Sequence, residues 1–244
     1  MTILVVGATG ATGKRLVEVL LNRGHYVKAM VRSPDSLPEN TWNRAGVELV
    51  IASVLALSDK EIETHVEGCE AVASCLGHNL TFKGLFGKPR RLVTDATRKL
   101  CLAIKANNPE EPAKFVLMNT NGNRNRDLDE SIPLSNRLLI GLLRHILPPQ
   151  ADNEQAAEYL RTVIGKNDND IEWVAVRPSS LIDAEQESDI EVYASPTRSV
   201  VNDGQISRIN VAHFMADLIT NNDIWYTWRG QMPVIYNKGT AHKA

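Results

Sequence analysis

Three glycines stand in the stretch Gly7-Ala8-Thr9-Gly10-Ala11-Thr12-Gly13, directly after the apolar run Ile3-Leu4-Val5-Val6 and before a helical pattern through Val17, Leu20 and Leu21. That order suits a pyrophosphate. Gly7 permits a tight turn, Gly10 lets the backbone come close to the phosphates, and Gly13 lets the helix lie against the sheet. The start of the helix then offers free N–H groups and the positive end of its dipole. A glycine trio alone also fits an ordinary strand-to-helix turn. Its position at the first strand of an alternating chain makes it a dinucleotide-binding expectation. The end of the next strand selects the cofactor, because NAD sites place an acid there to accept from the ribose 2′-hydroxyl. Between His25 and Pro34 there is no Asp or Glu, and Arg32 occupies the place with Ser33 beside it. A guanidinium fork matches a 2′-phosphate and gains nothing specific from a bare hydroxyl, so NADP(H) is expected over NAD(H).

The elements that must position these residues follow from the apolar pattern. Strand-like runs at 2–6, 26–31, 47–51, 70–76, 114–119 and 171–176 alternate with helical patterns at 12–23, 58–66, 92–107, 134–146, 151–164 and 209–220. Such alternation predicts an α/β fold: a doubly wound parallel sheet (Rossmann fold) with strand order 3-2-1-4-5-6 and helices on both faces. With no repeat, low-complexity tract or linker, residues 1–244 read as one domain. Segments 78–91 and 120–133 leave the C-terminal ends of strands, where open α/β sheets bind ligands. Residues 134–147 stack Leu134, Leu138, Leu142 and Ile146 on one face. That face fits burial on the sheet, a lid, or a partner surface.

Composition narrows the classes. With 23% charged and 43% apolar residues and a net charge of −2, the chain reads as an ordinary soluble globular protein without the basic face of a nucleic-acid binder. No secretory signal pattern opens it, and the stretch Leu134 to Leu147 is too short and too polar to span a bilayer. Cys69, Cys75 and Cys101 are an odd set without a close pair, which points to free thiols in a reducing cytoplasm and to no metal site.

The glycine stretch and Val31-Arg32 resemble an atypical short-chain dehydrogenase/reductase. So do Ala71-Val72-Ala73-Ser74-Cys75-Leu76-Gly77, Phe115-Val116-Leu117-Met118-Asn119-Thr120-Asn121-Gly122, Trp173-Val174-Ala175-Val176-Arg177-Pro178 and the late Ser207-Arg208-Ile209-Asn210-Val211-Ala212. In outline the chain is similar to the NmrA-like proteins and the biliverdin-IXβ (flavin) reductases. The resemblance implies that Thr9 and Arg32 contact the 2′-phosphate, while Gly10, Ala11 and Thr12 line the pyrophosphate. It puts Leu76 and Gly77 beside the adenosine ribose and Pro178 with Ser179 by the nicotinamide carboxamide, and it counts Asn119 among the cofactor-binding residues. Where the family has Gly-Asp after the third strand, its Asp meeting the adenine amino group, this chain has Ala52-Ser53, which leaves Ser53 a weaker hydrogen bond to the base or none.

The resemblance also implies a catalytic Tyr with a Lys four residues on, and that pair is missing. The tyrosines at 26, 159, 193, 226 and 236 are followed at that spacing by Met30, Val163, Thr197, Gly230 and Thr240, and the family's places hold Gln150 and Glu154. Two readings stay open. In one, NADPH reduces a flavin-like, quinone-like or other conjugated acceptor, Thr120 standing in the place of the family's active-site Ser and solvent giving the proton. In the other, the chain binds NADP(H) without turnover, as a sensor or scaffold. Either way the expected partner is a small molecule, and the chain a monomer or weak homo-oligomer. His78 and His213 read as locally bonded or structural, and Asp152 as the N-cap of the helix at 151–164.

Overall fold

A computed structural model describes residues 1–33, 44–78, 87, 89–128, 130, 148–198 and 204–239. The apolar segment 134–147 lies outside them. Strands β1 (Thr2–Val6), β2 (Tyr26–Val31), β3 (Val47–Ile51), β4 (Ala71–Ser74), β5 (Ala113–Met118) and β6 (Ile171–Pro178) pair in parallel, in the order β3-β2-β1-β4-β5-β6. That is the expected doubly wound order. The sheet continues with β10 (Val234–Asn237), parallel to β6, and then β8 (Ile190–Tyr193), antiparallel at the edge. Strands β7 (Ser180–Ile182) and β9 (Gln205–Ser207) form a separate parallel pair.

The inner strands read as continuous apolar runs because both of their faces are covered. In β1, Ile3 and Val5 join one hydrophobic cluster while Leu4 and Val6 join the other, and β5 divides Val116 from Phe115 and Leu117 in the same way. Helices α1 (Gly13–Asn22) and α5 (Arg208–Thr220) cover the first face with Leu16, Leu20, Phe214 and Leu218. Helices α2 (Asp59–Val66), α3 (Leu92–Ala106) and α4 (Pro148–Tyr159) cover the second with Ile62, Leu100 and Ala156. A short α6 (Asn222–Trp228) follows α5. Among the described residues no helix is long and apolar enough to cross a membrane.

Local chemistry sets the boundaries. Ser58 accepts from the Glu61 N–H at 3.3 Å while Glu61 accepts from the Ser58 N–H at 2.7 Å, a reciprocal cap that starts α2. Helix α4 begins three residues earlier than the periodicity suggests. Pro148-Pro149 suits the first turn, where proline's missing N–H costs nothing. Its continuation, Leu160–Ile164, widens to a π turn and stops at Gly165, whose carbonyl accepts from Trp173 Nε1 at 2.6 Å.

At the end of β6, Arg177 is fully buried and uses every donor of its guanidinium. Nε donates to the Met232 carbonyl at 2.6 Å, Nη1 to the Asn123 carbonyl at 2.7 Å and Nη2 to the Ala194 carbonyl at 2.9 Å. Two further bonds, of 3.0 and 2.7 Å, grip Glu130 bidentately. This pair ties the segment after β5 to β6 and to the turn after β8. Removing one partner of such a pair leaves a charge stranded away from water. Glu130→Ala is expected to cost about 3–5 kcal/mol in urea unfolding; a loss under about 1 kcal/mol would show that the backbone carbonyls hold Arg177 alone.

Candidate functional site

The turn from β1 to α1 leaves no room for side chains at two positions. Gly7 has φ +74°, and a Cβ there would lie 2.7 Å from the carbonyl carbon of Cys75. A Cβ on Gly13 would stand 2.2 Å from the Gly7 carbonyl oxygen. That oxygen accepts from the Gly10 N–H at 3.0 Å, which closes the turn. Thr12, at the N-cap position, is buried and makes no side-chain cap bond. Among the described residues, no acceptor reaches the N–H groups of Ala11, Thr12 and Gly13. Unsatisfied donors at a helix start are what an anion requires.

Beside this turn, at the C-terminal ends of β1 to β4, a cleft of ≈ 600 Å³ opens. Such a volume suits a nucleotide-sized ligand. Seven of the residues singled out from the sequence line it: Gly7, Thr9, Gly10, Arg32, Ser53, Leu76 and Gly77. Apolar walls come from Val31 next to Arg32 and from Met30, Val54, Leu55, Pro89 and Leu92; the last five carry no chemical signature in the sequence and were missed there. Among the described residues of the lining Arg32 is the one charged side chain, and none is a carboxylate. Its guanidinium is exposed and makes no ion pair with any described residue. Ser33, beside it, is half-buried. The Ser53 carbonyl accepts from Ala56 N–H at 2.8 Å, and its hydroxyl bonds to none of the described residues. Burial pushes the Cys75 thiol in the wall up to about 12, so it stays neutral and unreactive near neutral pH. A second cleft of ≈ 370 Å³ has the opposite character. Glu187, Asp189 and Asp217 line it, with His213 Nδ1 3.0 Å from Glu187, and this lining repels phosphates.

The remaining candidates gather at the ends of β5 and β6, outside the cleft's lining. The Asn119 side chain is committed to the protein: Nδ2 donates to the Asn153 carbonyl at 2.9 Å, and Oδ1 accepts from the Thr120 N–H at 2.7 Å and from Asn123 Nδ2. The Thr120 hydroxyl accepts from the Gly122 N–H at 3.2 Å, a loop-capping bond. The Pro178 carbonyl accepts from the Asn121 N–H at 3.1 Å. Ser179 is 4% exposed, and its Oγ finds no partner among the described residues. The buried hydroxyls of Ser74 and Thr97 share that condition. Gln150 donates to Asn123 Oδ1 at 3.0 Å, and Glu154 meets Arg126 at 3.3 Å.

One constellation was not legible in the sequence at all. His78 Nε2 lies 2.7 Å from Asp152 Oδ2, and both side chains are buried. Asp152 does not cap its own helix, as its position suggested. It sits inside α4 and accepts from the N–H groups of Val93 at 2.8 Å and Thr94 at 2.9 Å, closing the first turn of α3. The reason is the earlier start of α4, which turns residue 152 toward its neighbour.

Comparison with known proteins agrees with this geometry. A model of the family described as NAD(P)H-binding matches residues 7–222. An uncharacterised chloroplastic protein of Arabidopsis thaliana and cinnamoyl-CoA reductase 1 of the same plant are each 39% identical to the chain over 75 residues. These stretches cover 31% and 29% of this chain, and about a quarter of the relatives' own length, 27% and 22%. Among solved structures, a short-chain dehydrogenase/reductase of Veillonella parvula in complex with NADP aligns with TM-score 0.69 at 18% identity, over 99% of this chain and 96% of that one. A proposed NADH-flavin reductase of Streptococcus pneumoniae aligns with TM-score 0.65 at 18% identity, over 98% and 100%. At such identities these structures share the fold.

The Gly7–Gly13 contact is testable by itself. Gly13→Ala is expected to cost about 1–3 kcal/mol by overpacking, because its new carbon meets rigid backbone. Thermal unfolding should show a loss of roughly 2–4 °C per kcal/mol; an unchanged midpoint would mean that α1 can stand off from β1 freely.

Proposed function

We propose, because this chain belongs to the family described as NAD(P)H-binding, that it binds NADP(H) in the cleft beside the glycine turn and reduces a small conjugated acceptor. The observation that carries this reading is Arg32, the one charged side chain among the described residues of the cleft lining. Thr9 and Arg32 hold the 2′-phosphate, with Ser33 alongside. The free N–H groups of Ala11, Thr12 and Gly13 meet the pyrophosphate, and Gly10 keeps the backbone low enough to reach it. Leu76 and Gly77 border the ribose. Ser179, whose buried Oγ lacks a partner among the described residues, serves the nicotinamide carboxamide next to Pro178. The residues present therefore fit the cofactor at both of its ends. The NADP named for the Veillonella protein is in keeping with the choice.

Bound in this way, the reduced nicotinamide supplies a hydride. The chain's own part is to hold donor and acceptor together, which removes much of the entropic barrier. It has no Tyr–Lys pair to protonate an alkoxide. A conjugated ring spreads the arriving charge and takes its proton from solvent, so flavin-like, quinone-like or conjugated carbonyl acceptors fit better than simple ketones. The flavin named for the Streptococcus protein belongs to this class. Thr120 orients the acceptor. Its existing bond to Gly122 N–H favours a second reading, an NmrA-like NADP(H) sensor without turnover. The three free thiols suit a reducing, cytoplasmic setting.

Calorimetric titration separates the cofactors. Arg32→Ala is expected to lose about 1.5–3 kcal/mol of NADPH affinity, roughly 10- to 150-fold, and to leave NADH affinity unchanged. Equal wild-type affinities, or an unaltered NADPH affinity in the variant, would remove the NADP(H) assignment. Stopped-flow absorbance at the reduced-nicotinamide band, with flavins, quinones, biliverdin and aldehydes, tests turnover. Oxidation with a conjugated acceptor, modestly slowed in Thr120→Val, is the expected result. A flat trace with every acceptor would leave the sensor reading in its place.

A further inference from the structure

The cleft has a wall on each side of β1, because the sheet order places β2 and β3 to one side and β4 to the other. The first wall carries Met30, Val31 and Arg32 with residues that follow β3. The second joins Leu76 and Gly77, from the exit of β4, to Pro89 and Leu92 at the head of α3. These two pieces meet at one carboxylate. Asp152 Oδ2 lies 2.7 Å from Nε2 of His78, the neighbour of Gly77, and accepts from the N–H of Val93, the neighbour of Leu92, at 2.8 Å. Its Oδ1 accepts from the Thr94 N–H and its backbone carbonyl from Thr94 Oγ1, each at 2.9 Å. The side chains of His78 and Asp152 are buried, as is Thr94, so water does not replace these bonds cheaply.

Resting on the NADP(H) reading above, we propose that Asp152 is a positioning residue for the cofactor. It does not line the cleft, and it acts by clasping the exit of β4 to the head of α3, which sets the second wall. Arg32 stands on the first wall, so the two residues answer to different features of the ligand. Loss of Arg32 alters the choice between NADPH and NADH. Loss of the clasp loosens a wall that both cofactors meet, and weakens both by the same factor. Linkage makes the effect reciprocal: a cofactor seated between the walls steadies the clasp, and with it the N–H groups of Val93 and Thr94.

The test is calorimetric titration of NADPH and NADH into the wild-type chain, Asp152→Asn, His78→Leu, their double variant and Lys105→Met. Asparagine keeps the size of aspartate but turns a donor toward the donors it must receive. Lys105 pairs with Asp168 from the last turn of α3, so its loss weakens the same helix at the end away from the cleft. Asp152→Asn and His78→Leu are expected to weaken both cofactors by about 3- to 30-fold, the effect of residues coupled to a ligand they do not touch, and to keep the NADPH to NADH ratio. The double variant should lose no more than the larger single, since both act through one contact. Lys105→Met should lower the thermal midpoint and leave both affinities within about twofold of wild type. In the wild type, NADPH should slow hydrogen exchange at the Val93 and Thr94 amides. Unchanged affinities in His78→Leu, additive losses in the double variant, or exchange that NADPH leaves alone would each overturn the proposal. An equal loss in Lys105→Met would overturn it too, by showing that any weakening of α3 impairs binding. If Asp152→Asn does not fold, His78→Leu and the exchange measurement decide. If the wild type binds neither cofactor, the NADP(H) reading fails and the proposal with it, a result distinct from weakened binding in a variant.

Discussion

The carbonyl oxygen of Gly7 occupies the space in which a side chain at residue 13 would begin. Much of the architecture depends on this contact. It brings α1 down on β1, so that Leu16 and Leu20 reach the cluster formed with Ile3 and Val5. It also aims the uncapped start of α1 at the C-terminal ends of the strands, where the sheet's order reverses between β1 and β4 and a crevice opens. Packing and binding thus share one cause. A larger residue at 13 would disturb the first face of the core and the cradle for an anion together.

Away from that turn, the structure is held by polar groups working in apolar surroundings. Arg177 and Glu130 join segments that no strand pairing links, and all five guanidinium donors are used. A buried ion pair adds little net stability over an apolar replacement, but it admits few arrangements. It therefore fixes where the segment after β5 runs, and with it Asn119, Thr120 and Asn123 beside the end of β6.

The parts legible in the sequence are those in which one short stretch carries its own physical reason. Strands β1, β2 and β3 have the bounds that their apolar runs suggest, and Gly7, Gly10 and Arg32, singled out by type and spacing, line one cleft. Strands β7 to β10 were missed because runs of three or four residues have no period to detect, and their pairing is set by partners elsewhere in the chain. The walls of the cleft were missed for a related reason. Val54 and Leu55 after β3, and Pro89 and Leu92 at the start of α3, come from distant stretches and look like any other apolar residues until the fold assembles them. The His78–Asp152 contact joins residues 74 positions apart and leaves no local trace.

Asp152 also bears on the order in which the chain acquires structure during synthesis. The Val93 and Thr94 N–H groups at the head of α3 are closed by an oxygen that lies 59 and 58 residues downstream. While the chain emerges from a ribosome, strands β1 to β4 can pair and α3 can wind, but the head of that helix stays open until α4 arrives. The second face of the sheet is then completed from its later half. A nascent fragment ending before residue 152 carries the glycine turn and Arg32 but lacks the group that pins α3 beside the cleft, so the binding crevice matures only after more than half of the chain has been made.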